Sequence, residues 1–125
     1  MSLTSGAVRA TIAVSDIAAA RAFYEDTLGL TPDEGGPDMV RIYRCGGGTI
    51  LQVYESPDHA GKATATLASF GVEDIEAVVD ELSAKGVTFE RYDEPATDER
   101  GIHTYGSHRV AWFTDPEGNV IAIDQ

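Results

Sequence analysis

Apolar and polar residues alternate along this chain in short runs, and the runs come twice in the same order. Val8, Ala10, Ile12 and Val14 alternate with Arg9, Thr11 and Ala13, the period of a half-buried strand over residues 8–16. Ser15 or Asp16 then caps a helix whose face carries Ile17, Ala20, Phe23, Tyr24 and Leu28. Gly29 stands where a helix end takes a left-handed residue. TPDEGGPD reads as a polar loop. MVRIYRC and TILQVYES read as two strands joined through GGG.

The second half repeats this order. TATLASFGVED predicts a strand. DIEAVVDELSAKGV predicts a helix with Ile75, Val78, Val79 and Leu82 on one face, stopped by Gly86. VTFERYD predicts a further strand, and GIHTYGSH lies in a long loop after it. HRVAWFTD and NVIAIDQ close the chain as a hairpin around Asp115-Pro116-Glu117-Gly118. In both halves Val-x-Asp-Ile opens the helix and a glycine ends it, so Asp16 and Asp74 read as equivalent positions. The pattern therefore predicts an α+β fold of two tandem βαβββ modules, residues 7–56 and 62–125, in a single domain spanning residues 1–125. Neither module alone could bury both faces of its sheet.

The composition agrees with one domain. The chain has 125 residues, 42% of them hydrophobic. It holds 21 acidic against 9 basic residues, a net charge of -12. Nucleic-acid binding needs clustered positive charge, and no basic run occurs, so neither nucleic acid nor an anionic membrane is an expected partner. The acidity reads as solubility. Cys45 is the only cysteine, so no internal disulfide can form, which suits a reducing compartment. The first residues lack the pattern of a signal peptide. No apolar run approaches the roughly 20 residues that span a bilayer. A soluble, cytoplasmic protein is expected.

With FYEDTLGL after the first strand and DPEGNVIAI in the last hairpin, the repeat resembles the vicinal oxygen chelate superfamily. That superfamily includes glyoxalase I, extradiol dioxygenases, bleomycin-resistance proteins and fosfomycin-resistance enzymes. The resemblance covers nearly the whole chain. YRCGGGT, FERYD and AWFTDPEGN are most similar to the small bacterial glyoxalase-like proteins. It implies a cup-shaped, incomplete eight-stranded barrel with the helices outside and a pocket within. It also implies a homodimer. Catalytic members hold a divalent metal on four inward strand positions, two from each module, usually with His, Gln or Glu.

Carried over by position, those four places fall on Arg9, Gln52, Leu67 and Ala122. Arg9 stays cationic and repels a divalent ion. Leu67 and Ala122 have no donor atom, and only Gln52 could ligate, through its carbonyl. The usual metal site is therefore expected to be lost, and no cofactor is predicted. Strand alternation turns Ile12, Val14, Leu51, Val53, Phe70, Val72, Ile121 and Ile123 toward the helices. It turns Arg9, Thr11, Gln52, Tyr54, Leu67, Ser69 and Ala122 inward, a mixed set suited to a ligand pocket. Trp112 reads either as a stacking platform in the pocket or as barrel packing. Arg41, placed beside the cup with Arg9, could meet an anionic ligand, but a solvated strand residue is the preferred reading. His103 and Tyr105 border the mouth, as ligand contacts or as ordinary loop polarity. His59 reads as a turn residue and DEPATDER as a solvated loop. CGGGT reads as a hairpin turn rather than a phosphate loop, since no Lys-Ser/Thr or helix follows.

Two functions follow as expectations. The first is a glyoxalase/bleomycin-resistance-like protein that binds a small molecule without the metal. The alternative is a metal-dependent lyase, isomerase or dioxygenase with displaced ligands, drawn from His103, His108 or Glu55. Whether the chain is an enzyme is left open at this point.

Overall fold

The computed structural model describes residues 2–34 and 36–125. Chain order is β1 (Ala10–Val14), α1 (Ile17–Arg21), β2 (Thr31–Pro32), β3 (Val40–Arg44), β4 (Ile50–Glu55), β5 (Thr66–Gly71), α2 (Ile75–Ala84), β6 (Ile102–Tyr105), β7 (His108–Thr114) and β8 (Val120–Asp124). The strands form two open four-stranded sheets, ordered β1-β4-β3-β2 and β5-β8-β7-β6. In each sheet the first strand runs parallel to the last and the others pair antiparallel. The repeat in the sequence is thus a repeat in topology. The edges β1 and β5 approach each other, which brings the two sheets together. This is the α+β fold of tandem βαβββ modules, with the sheets left open rather than closed into a barrel.

Two aspartates start the two helices in the same way. The Asp16 carboxylate accepts from the backbone N–H of Ala18 and Ala19, and Asp74 accepts from Ala77. Each satisfies donors that the first helical turn leaves free. Beyond Arg21 the first helix widens into π-type turns over Ala22–Thr27. The alternation read from the strands holds on the helix-facing side. Ile12, Val14, Leu51, Val53, Ile121 and Ile123 are all buried there, while Phe70 and Val72 are half-buried. Burial of each such side chain contributes about 1.5–3 kcal/mol, so these positions fix the register.

Four expectations need correction. VTFERYD is not a strand of either sheet. Its backbone joins β7 through a bridge from Phe89 to Phe113 and a bond from Glu90 N–H to the Trp112 carbonyl rather than through a ladder. Burial of Val87 and Phe89 gives the segment its apolar pattern without a ladder. The strand beside β7 is instead Ile102–Tyr105, taken from the stretch read as loop. Leu67 does not face inward. It sits at a bulge, since Thr66 pairs with Val120 but Ala68 with Ile121, and its side chain packs against the core. Arg41 lies on the helix-facing side, opposite Val53.

The modules are joined through the turn between β7 and β8. Asp115 is 4% exposed and Asn119 is 1% exposed. Asp115 accepts the Tyr24 hydroxyl at 2.8 Å, the Asn119 side-chain amide at 2.8 Å, and the backbone N–H of Glu117 and Asn119 at 2.9 Å. Asn119 also donates to the Ala13 carbonyl on β1 at 2.8 Å, and its amide oxygen accepts from Gly61 N–H at 3.2 Å. The Glu117 carboxylate takes the Ser15 N–H and hydroxyl, both at 2.8 Å, at the start of α1. Gly61 is forced by this approach. A Cβ there would meet the Glu117 carbonyl oxygen at 2.0 Å, and its φ is +67°.

Candidate functional site

The inner face of the first sheet is built by cross-strand register. Thr11, Gln52 and Ile42 lie side by side in one row, and Ala13, Tyr54 and Val40 in the next. Thr11 is exposed and the other five are half-buried. The row is therefore a mostly apolar platform with one amide at its centre. Arg9 is exposed and stands just before β1.

Arg41 belongs to a different assembly on the opposite face. Its guanidinium lies 3.2 Å from Glu25 and 3.4 Å from Glu34, and its side chain is 14% exposed. The buried Tyr43 hydroxyl donates to the same Glu25 carboxylate at 2.9 Å. Burial would raise the Glu25 carboxyl, but the Tyr43 hydroxyl, Arg41 and Arg21 outweigh it and hold it below its ordinary range. Tyr43 is pushed up to about 12, first by burial and then by Glu25. This cluster clamps the first helix to its sheet, which accounts for the charge that the sequence placed beside the cup.

The inner face of the second sheet is more aromatic. Ser69, Ala122 and Trp112 form one row across β5, β8 and β7. Phe113 is buried on the helix side, so Trp112 lies on the inner side, and it is half-buried. His103 pairs with Val110 on this face, and its ring centre lies 6.4 Å from that of Trp112. Tyr92 meets Trp112 edge-on, with ring centres 5.5 Å apart. Tyr105 stands at the rim beside His108 and is 75% exposed. The His103 Nδ1 donates to the Ala96 carbonyl at 2.7 Å. In the neutral imidazole that bond leaves Nε2 as the acceptor. Tyr92 was not among the expected site residues, because VTFERYD does not form the strand whose alternation would have assigned it a face. Ser69 additionally lines a depression of about 140 Å3 between β1 and β5, with Val8, Ala10, Ile50 and Ala68.

The predicted site residues are thus gathered in two groups, one on each sheet. Because Leu67 is displaced by the bulge, Ser69 takes the inward place beside Ala122. The inward set on the four central strands is then Thr11, Gln52, Ser69 and Ala122: two hydroxyls, one amide and a methyl group. None is a carboxylate or imidazole, the groups that hold Zn, Mn or Fe. Among the described residues no three His, Cys, Asp or Glu side chains group around a possible ion. Glu55 instead accepts the Ile17 N–H at 3.4 Å, at the start of α1.

Comparison with known proteins bears on this arrangement of sheets. The Glyoxalase/Bleomycin resistance protein/Dioxygenase superfamily matches residues 6–123. The chain belongs to that superfamily. It is similar to a glyoxalase/bleomycin resistance protein from Catenulispora acidiphila, at 29% identity over 94% of this chain and 96% of the other, with a TM-score of 0.68. A glyoxalase/bleomycin resistance protein from a Streptomyces species is 26% identical over 92% and 96%, with a TM-score of 0.68. A glyoxalase family protein from Bacillus anthracis shares the fold, with a TM-score of 0.74 at 20% identity over 96% and 93%. No curated protein matches the chain. Among the described residues no helix is long and apolar enough to cross a membrane.

Proposed function

We propose that this glyoxalase/bleomycin-resistance superfamily member binds a flat organic molecule on its inner sheet faces without a divalent metal. The observation that carries this reading is the inward set Thr11, Gln52, Ser69 and Ala122, which offers hydrogen bonds but no metal-binding anion. Trp112, edged by Tyr92 and His103, supplies a face for stacking. Thr11 and Gln52 on the first sheet and the His103 Nε2 on the second supply polar anchors. Stacking on an aromatic face favours planar ligands, and a net charge of -12 favours neutral or cationic ones. Each sheet provides only one wall, so we infer a homodimer in which a partner shields the bound molecule. A cytoplasmic location is part of this proposal, and the lone Cys45, which permits no internal disulfide, is compatible with it.

The test is metal analysis of protein purified without chelators, together with quenching of Trp112 fluorescence by planar cationic aromatics. The expected result is less than about 0.1 metal per chain, saturable quenching, and loss in Trp112→Leu of the same ligand's binding heat measured by calorimetry. Stoichiometric Zn, Ni, Fe or Mn that alters ligand binding would overturn the reading.

A further inference from the structure

On the other side of the second sheet, an apolar crevice of about 130 Å3 separates the end of the first helix from α2. Leu28 and Leu30 form one wall, and Val78 and Leu82 of α2 form the other. Phe70, Val72, Phe113 and Ile123 make its floor, on the helix-facing side of β5, β7 and β8. Glu81 is the one charged residue among its lining groups, and it is exposed. The volume is close to that of cavities that hold a benzene ring, at roughly 150 Å3. The crevice is partly open to solvent and its walls offer water few partners, so an apolar body entering it gains dispersion contacts with them.

We propose that this crevice is a second small-molecule site, for a compact hydrophobic amine. The ring or short alkyl body fills the apolar floor, and the ammonium group reaches the Glu81 carboxylate at the rim. The charge supplies the choice among ligands of one shape. An amine is drawn to Glu81, a neutral isostere is accepted without preference, and a carboxylate is repelled. The site lies behind the sheet, away from Trp112, so it is independent of the inner faces.

The test compares benzylamine, toluene and benzoate, followed by NMR at the Val78, Leu82 and Ile123 methyls and at the Trp112 indole. Benzylamine is expected to shift the methyls saturably, with a dissociation constant on the order of 1 mM, and to leave the indole in place. Toluene should bind a few-fold more weakly, and benzoate more weakly than toluene. Glu81→Gln should weaken benzylamine about 2- to 5-fold, as an exposed ion pair allows, without changing toluene. Val78→Phe should fill the space and abolish both, with the fold checked by circular dichroism. The proposal fails if the methyls do not saturate, if benzoate binds as well as benzylamine, or if folded Val78→Phe retains binding. It also fails if a second copy covers the crevice, seen as concentration-dependent broadening of the same methyls.

Discussion

The two modules have equivalent hairpin turns with opposite fates. Between β3 and β4 the chain turns through Gly46–Gly48, and these residues are exposed. That turn bonds only to itself, through Cys45 N–H to the Thr49 carbonyl and the Thr49 hydroxyl to Gly46. Between β7 and β8 the matching turn carries Asp115 and Asn119, both buried, and bonds to α1, β1 and the linker at Gly61. Water can satisfy the first turn, so its sequence needs only flexibility. The second has no water to rely on, so each polar atom needs a protein partner. Position in a repeat therefore sets backbone shape, while burial at the module junction sets which side chains are required.

The largest break in this comparison is Asp115→Ala. It strands the Tyr24 hydroxyl, the Asn119 amide and two backbone N–H groups at once. Each unsatisfied buried group costs about 1–3 kcal/mol, so urea unfolding should show a loss of at least ~3 kcal/mol. Gly61→Ala comes next. Its new Cβ would overlap the Glu117 carbonyl oxygen, and the positive φ adds strain, so a loss of about 2–3 kcal/mol is expected. Gly46→Ala in the exposed turn is the control. A Cβ there meets nothing within 4 Å and no positive φ is required, so stability should stay within about 0.5 kcal/mol. An equal loss at Gly46 and Gly61 would show that the two turns do not differ as argued.

A smaller effect is expected at Glu117, which reaches the start of α1 from the other module. Glu117→Gln keeps hydrogen-bonding capacity but removes the negative charge facing the helix N-terminus. The expected loss is about 0.3–1 kcal/mol, shrinking as salt is added.

Much of this was legible in the chain, because local periodicity carries it. The repeat, the two Asp caps and the helix-facing strand residues all follow from spacing of 2 or 3.6. What the spacing could not show were features set at a distance. The bulge that turns Leu67 into the core depends on β8, with which β5 pairs. The strand Ile102–Tyr105 forms because β7 offers a free edge, although its own residues alternate weakly. Arg41 sits on a strand with no local sign of which face pairs with Glu25. The inner row was legible at Gln52 and Ala122, where the ladder is regular, and was lost at Leu67, where it is not. DPEGN was readable as a turn, but its role as the joint required Tyr24, Ala13 and Gly61, which lie 58 to 106 residues away.

The finest contrast lies in how each helix is tied to its sheet. The second module uses exposed pairs, Arg100 with Glu76 and Asp80, and Arg109 with Glu76. The first uses the buried Tyr43 with the half-buried Glu25 and Arg41, and it should imprint a pH dependence. Glu25 titrates below its ordinary value of 4.5 in the folded chain. Its contribution is therefore present above that value and lost as pH falls through the lower, folded value. Tyr43 is raised from 10 to about 12, so its contribution is complete below 10 and lost as pH rises toward 12. Glu25→Gln should lower stability at neutral pH, and its difference from the unmodified protein should shrink below pH 4.5. Tyr43→Phe should shrink its own difference above pH 10. Thermal melts across that range, with Glu76→Gln as the exposed control, separate the two clamps. A Glu76→Gln profile that converges with the unmodified protein as steeply as Glu25→Gln does would show that burial is not what distinguishes them.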